Sequence, residues 1–124
     1  MPRDPLLYLD DILEAIARIQ GYTTSMDYET FSRDTKTQDA VVRNLEIIGE
    51  AATRLPESIK RAAYEIEWRK IVGLRNILTH EYFGVSLPII WDVTANKLKA
   101  LERACVKIMN KENPESKEQS RVPC

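Results

Sequence analysis

The eight residues from Arg75 to Tyr82, inside the string GLRNILTHEYFGV, bring together Arg75, Asn76, His80, Glu81 and Tyr82, and His80 is the only histidine among 124 residues. The chemistry these side chains suit is that of a phosphodiester. Arginine offers phosphate oxygens a planar fork of donors and stays charged at any physiological pH. An imidazole of ordinary pKa, about 6.5, takes and returns a proton near neutrality. RNA carries its own nucleophile, the 2′-hydroxyl. A site that removes that proton and steadies the phosphate would therefore cut RNA with neither metal nor cofactor.

Spacing qualifies this. Asn76 and His80, four apart, share a face of an ideal helix, whereas Arg75 and His80 stand about 140° apart around it. Arg75, His80 and Tyr82 converge only if the helix ends or bends near Thr79, where Gly84 makes an ending credible, or if a second subunit completes the site. A lone histidine in a helical protein more often packs than reacts. A second polar set, Arg43, Glu46 and Glu50, lies along one face of an otherwise apolar helix. It reads either as a solvated ion-pair row or as a group that orients Arg75 or His80. Trp68 and Trp91, beside aliphatic residues at helical spacing, read as core or dimer-contact residues rather than base-stacking platforms.

The elements that must position these residues are helices. Leu6, Leu9, Leu13, Ile16 and Ile19 predict a first helix from about Asp4 to Gln20, with Gly21 as its stop. One short turn around Tyr28 and Phe31 follows. A second long helix begins near Thr37, where Val41, Leu45, Ile48, Ala52 and Leu55 step 4-3-4-3, and Val42, Ile47 and Ala51 widen the apolar arc to suit a central helix. Pro56 closes it and opens a short third helix through PESIKRAAY. Trp68 to about Leu78 forms a fourth, and from Leu87 a long last helix carries Trp91, Thr94, Leu98, Leu101, Cys105 and Ile108. No run alternates like a strand. The expectation is an all-α, antiparallel up-and-down bundle of four to five helices over residues 1–110, followed by a disordered polar tail over 111–124.

Composition narrows the function classes. Eighteen basic and 19 acidic residues leave a net charge of −1, so nucleic acid would not be held by bulk electrostatics. Contact with it must be local or assembled from more than one chain. Cys105 and Cys124 make no disulfide framework and do not close a zinc site. They suit a reducing compartment. The run before Asp10 and Asp11 is too short for a secretory leader, and no stretch approaches a membrane span. A cytoplasmic protein without membrane attachment is expected.

The strings VRNLEIIGEAATRLP and EWRKIVGLRNILTHEYFGV, followed by a long helix beginning near LPIIW, resemble the HEPN domain family over roughly residues 4–110. They are most similar to the HepT-type toxins paired with minimal nucleotidyltransferases. The family's R-x4-H-x-Y motif, with a polar residue after the arginine, is met by Arg75, Asn76, His80 and Tyr82. The resemblance implies a dimerising helical bundle whose two motifs meet at the interface, and a metal-independent endoribonuclease that needs no cofactor. It implies that Arg75 holds phosphate, His80 transfers protons, Asn76 supports the site, and Tyr82 is adenylylated by the nucleotidyltransferase antitoxin to silence the toxin. Arg43 and Glu46 join as supporting candidates from the residue reading. The alternative, from a different class, is a non-catalytic helical binding partner of a nucleotidyltransferase.

Overall fold

The structure is a computed structural model that describes residues 3–80 and 86–112, with Leu74, Ile77, Thr79, His80 and Glu112 described by backbone alone. In chain order the helices are α1 (Pro5–Thr23), α2 (Tyr28–Ser32), α3 (Thr35–Arg54), α4 (Glu57–Ala62), α5 (Trp68–His80), α6 (Leu87–Asp92) and α7 (Leu98–Glu112), with a π-helical segment, Val93–Lys97, joining the last two. No strand occurs among the described residues. The expected up-and-down helical bundle is what forms.

Helix starts follow from carboxylates. Asp4 accepts the Leu6 amide at 2.9 Å ahead of Pro5, Asp27 accepts that of Thr30 at 2.8 Å, and Asp34 accepts that of Thr37 at 2.9 Å. Each satisfies one of the amides a helix start leaves unpaired. The Thr37 amide and hydroxyl hold the Asp34 carboxyl below its ordinary range. Because Asp34 caps the helix, α3 begins at Thr35 rather than Thr37.

The first helix corrects one expectation. Gly21 does not stop it: α1 continues to Thr23, and no described glycine has positive φ. Two threonine hydroxyls bond back along its last turn. Thr23 Oγ1 donates to the Ile19 carbonyl at 2.9 Å and Thr24 Oγ1 to that of Gln20 at 2.8 Å. The left-handed residue after the helix is Ser25, at φ 64°, and the Met26 amide closes the turn onto the Thr23 carbonyl at 3.0 Å.

The core lies between α1, α3, α5 and α7. On α1, Leu9, Ile12, Ala15, Ile16 and Ile19 are wholly buried. The buried residues of α3 span Gln38 to Ala52 and face α1 on one side and α5 on the other, with α2 packed near its start. That is why its apolar arc is so broad. Phe31 of α2 is sealed beneath Trp91 of α6, ring centroids 5.1 Å apart. Trp68 is buried and its indole N–H donates to the carbonyls of Lys60 and Ala63, so its indole is no platform for a base, while Trp91 is half-buried against the core.

The last helix also differs from its expected form. A π turn at Val93–Lys97 interrupts it, and α7 runs two residues past Asn110. The π turn admits one more residue per turn than an α-helix and keeps Thr94 buried with Ile90 and Leu98. Further along, burial pushes the Cys105 thiol up to about 12. Since thiolate is the reactive form, iodoacetamide at pH 8 is expected to leave the Cys105 peptide unmodified until denaturant is added. Labelling as fast in native buffer as in denaturant would contradict this burial. Cys124 and the tail beyond Glu112 lie outside the described residues.

Candidate functional site

Arg75 sits on α5 where that helix crosses α3, and a glycine sets the distance of approach. A Cβ placed on Gly49 would overlap the Cβ of Arg75 and lie 2.8 Å from its Cγ and 3.2 Å from its Cα. No residue with a side chain fits there without parting the helices. The close approach brings the Arg75 side chain across Glu50, the next residue of α3.

Two contacts then fix the guanidinium. One terminal nitrogen pairs with Glu50 Oε2 at 2.7 Å, and the other donates to the neighbouring Asn76 Oδ1 at 2.8 Å. Side-chain exposures of 32% for Arg75 and 43% for Glu50 place this pair in the range where stabilisation is small, roughly 1 kcal/mol or less. Its consequence is orientation. A guanidinium has five N–H donors in a rigid plane, and pinning two of them leaves the others aimed in a set direction.

Glu50 is shared. Its other oxygen, Oε1, accepts from Arg54 one helical turn on, at 3.2 Å. Arg43 and Glu46, the other members of the polar set, form a looser pair of 3.8 Å with Arg43 73% exposed. So the set divides: Glu50 holds Arg75, while Arg43 and Glu46 stand along the rim. All of them line one open cleft of about 550 Å³, together with Tyr8 and Asp11 of α1 and with Arg3. Arg3 pairs with Asp11 at 2.6 Å and lies over the Tyr8 ring at 4.8 Å.

Position 80 is the last of α5, and the helix is unbroken from Trp68 to there. Positions 75 and 80 therefore keep the separation of about 140° around one axis. The His80 side chain and the whole of Glu81 and Tyr82 lie outside the described residues. Among the described residues no group of His, Cys, Asp and Glu could hold a metal ion, and no helix is long and apolar enough to cross a membrane.

Gly49, Arg54 and Tyr8 escaped the sequence reading. Only Gly49 has a feature legible in the string, and an ambiguous one. A glycine inside a helix costs about 1 kcal/mol relative to alanine, which singles out Gly49 but equally Gly21 and Gly73, where a Cβ would meet nothing within 4 Å. Nothing local shows that Arg54 shares a carboxylate with a residue 21 positions on.

Comparison with known proteins adds the following. Residues 12–108 match the family described as Ribonuclease HepT-like. A candidate RNase of Methanocaldococcus jannaschii is 42% identical over 99 residues, covering 79% of this chain and 82% of that one. A HepT ribonuclease candidate of Thermococcus cleftensis is 42% identical over 102 residues, covering 82% and 93%. Among solved structures, the crystal structure of a toxin–antitoxin with AMP-PNP superposes with a TM-score of 0.68 at 25% identity, covering 88% of this chain and 99% of that one.

Proposed function

Because the chain belongs to the HepT-like ribonuclease family, we propose that it is the endoribonuclease toxin of a toxin–antitoxin pair, acting on RNA without a metal. The observation that carries this reading is the Arg75 guanidinium, pinned by Glu50 and Asn76 in the wall of a cleft. An arginine held in this way is suited to grip a phosphate whose charge rises during reaction.

The chemistry needs nothing beyond the chain and its substrate. The 2′-oxygen attacks the adjacent phosphorus as its proton passes to one imidazole. The bond from phosphorus to the 5′-oxygen breaks, and that oxygen takes a proton from a second imidazole that begins in its protonated form. The products are a 2′,3′-cyclic phosphate and a 5′-hydroxyl. Arg75 stabilises the negative charge on the phosphoryl oxygens between these states.

Two imidazoles require two chains. Each chain has one histidine, and positions 75 and 80 of one helix do not share a face. A two-fold dimer places the same patch of both protomers together, so His80 and Arg75 of each would meet those of its mate. Support for the antitoxin partner comes from the toxin–antitoxin neighbour. In this reading the partner is a minimal nucleotidyltransferase that adenylylates Tyr82. An AMP group there sets a bulky anion against Arg75 and blocks phosphate entry.

Two arms test this. Induced in cells without a partner, the wild type is expected to arrest growth and fragment RNA, and His80→Ala to do neither. Harmlessness of both would favour the non-catalytic partner. Co-expression with the cognate nucleotidyltransferase is expected to raise the protein's mass by whole AMP units, and Tyr82→Phe to abolish the rise. A mass increase that persists in Tyr82→Phe would remove Tyr82 from the switch.

A further inference from the structure

The cleft contains more than the phosphodiester chemistry requires. Besides Arg75 it is lined by Arg54 and by Tyr8, neither of which has a part in proton transfer. We propose that it is a nucleotide subsite for the RNA chain being cut: Arg54 takes the phosphate next to the one at Arg75, and the base lies against Tyr8. This rests on the ribonuclease reading and adds to it the residues that hold the substrate.

Charge is the first argument. Among the described residues lining the cleft, the guanidiniums of Arg3, Arg43, Arg54 and Arg75 face only the carboxylates of Asp11, Glu46 and Glu50. The surplus is concentrated at Glu50, whose two oxygens serve two arginines at 3.2 and 2.7 Å. A carboxylate shared in this way leaves both guanidiniums with unused donors. It also keeps them no farther apart than the width of that carboxylate and its two contacts, a separation of the order of one nucleotide step. Two adjacent phosphates of a single strand match that spacing and supply the missing negative charge.

Shape and an aromatic face are the second. A volume of about 550 Å³ lies within the range of small-ligand sites and admits one nucleotide. Tyr8 is half-buried on α1, and Arg3, paired with Asp11 at 2.6 Å, lies over its ring at 4.8 Å, so an entering base takes the place of Arg3 on the ring or stacks on its guanidinium. Base recognition in single strands uses such aromatic faces and guanidinium planes. Among the described residues lining the cleft, Tyr8 is the aromatic one. A chain of net charge −1 thus holds nucleic acid through a local cluster, which resolves the tension between its composition and an RNA substrate.

The test uses the full chain and a short 2′-O-methyl RNA, which lacks the free nucleophile, with binding read by fluorescence anisotropy. Tyr8→Ala is expected to weaken binding about 10-fold without altering its salt dependence, and Tyr8→Phe to bind like wild type. Arg54→Ala is expected to weaken binding and to reduce the slope of log affinity against log salt by about 0.7, the loss of one phosphate contact to a single strand. AMP is expected to compete better than inorganic phosphate. Wild-type binding by both Tyr8→Ala and Arg54→Ala, in a protein whose wild type binds and cuts RNA, would overturn the subsite alone. Equal competition by inorganic phosphate and AMP would overturn the base contact. Failure of the wild type to bind or cut any RNA would instead overturn the ribonuclease reading.

Discussion

His80→Ala, purified as the wild type is, should cleave RNA about 10²–10⁴-fold more slowly, the usual contribution of a positioned proton-transfer group. The expectation is large because no other imidazole exists in the chain to take over. Arg75→Ala should lose activity on a similar scale through a different route. It removes the phosphate grip and leaves Glu50 paired with Arg54 alone, so the cleft loses its surplus positive charge. Arg75→Lys separates charge from geometry: an ammonium is a point donor and does not reproduce a planar fork bound to Glu50 and Asn76 at once. Lysine should therefore restore little. Cleavage rates measured beside melting curves check all three. A His80→Ala enzyme of wild-type rate would remove the histidine from the mechanism.

The second large effect should come from a residue with no side chain. Gly49→Val is expected to destabilise the fold by about 3 kcal/mol, the upper part of the range for overpacking, and to lower the melting temperature by roughly 10 °C. The added Cβ would overlap that of Arg75, and the two branching methyls widen the gap further. Parting α3 from α5 also moves Arg75 off Glu50, so RNA cleavage should fall well beyond what the folded fraction explains. Gly21→Ala is the control. A Cβ there meets nothing within 4 Å, and the change should stabilise by about 0.5–1 kcal/mol through backbone entropy alone. Equal behaviour of the two variants in thermal melts would mean that the α3–α5 crossing is not as close as described.

These two expectations show how unevenly the molecule can be read from its sequence. The apolar repeat of α1 and the broad arc of α3 identify their buried faces because burial follows helical period directly. Ends are harder. Gly21 reads as a stop, yet the left-handed turn falls at Ser25, after Thr23, and a string of Gly, Thr and Ser is compatible with either ending. The π turn at Val93–Lys97 left no mark, because a widened turn changes register by one residue without changing which residue types are apolar. The site divides along the same line. Arg75, Asn76 and His80 are neighbours in sequence and could be singled out by type. The polar row of Arg43, Glu46 and Glu50 was visible too, but which member reaches Arg75 was not. That depends on where α5 crosses α3, and so on Gly49. Arg54 and Tyr8 are ordinary residues of amphipathic helices until tertiary structure sets them around one cleft.

The most direct test of the account is the chemistry of the cut ends. RNA incubated with the purified chain in excess EDTA should yield fragments ending in a 2′,3′-cyclic phosphate and beginning with a 5′-hydroxyl, and His80→Ala should yield almost none in the same time. Cleavage that stops when metal is chelated, or fragments carrying a 5′-phosphate, would contradict attack by the substrate's own 2′-oxygen and with it the roles assigned to His80 and Arg75.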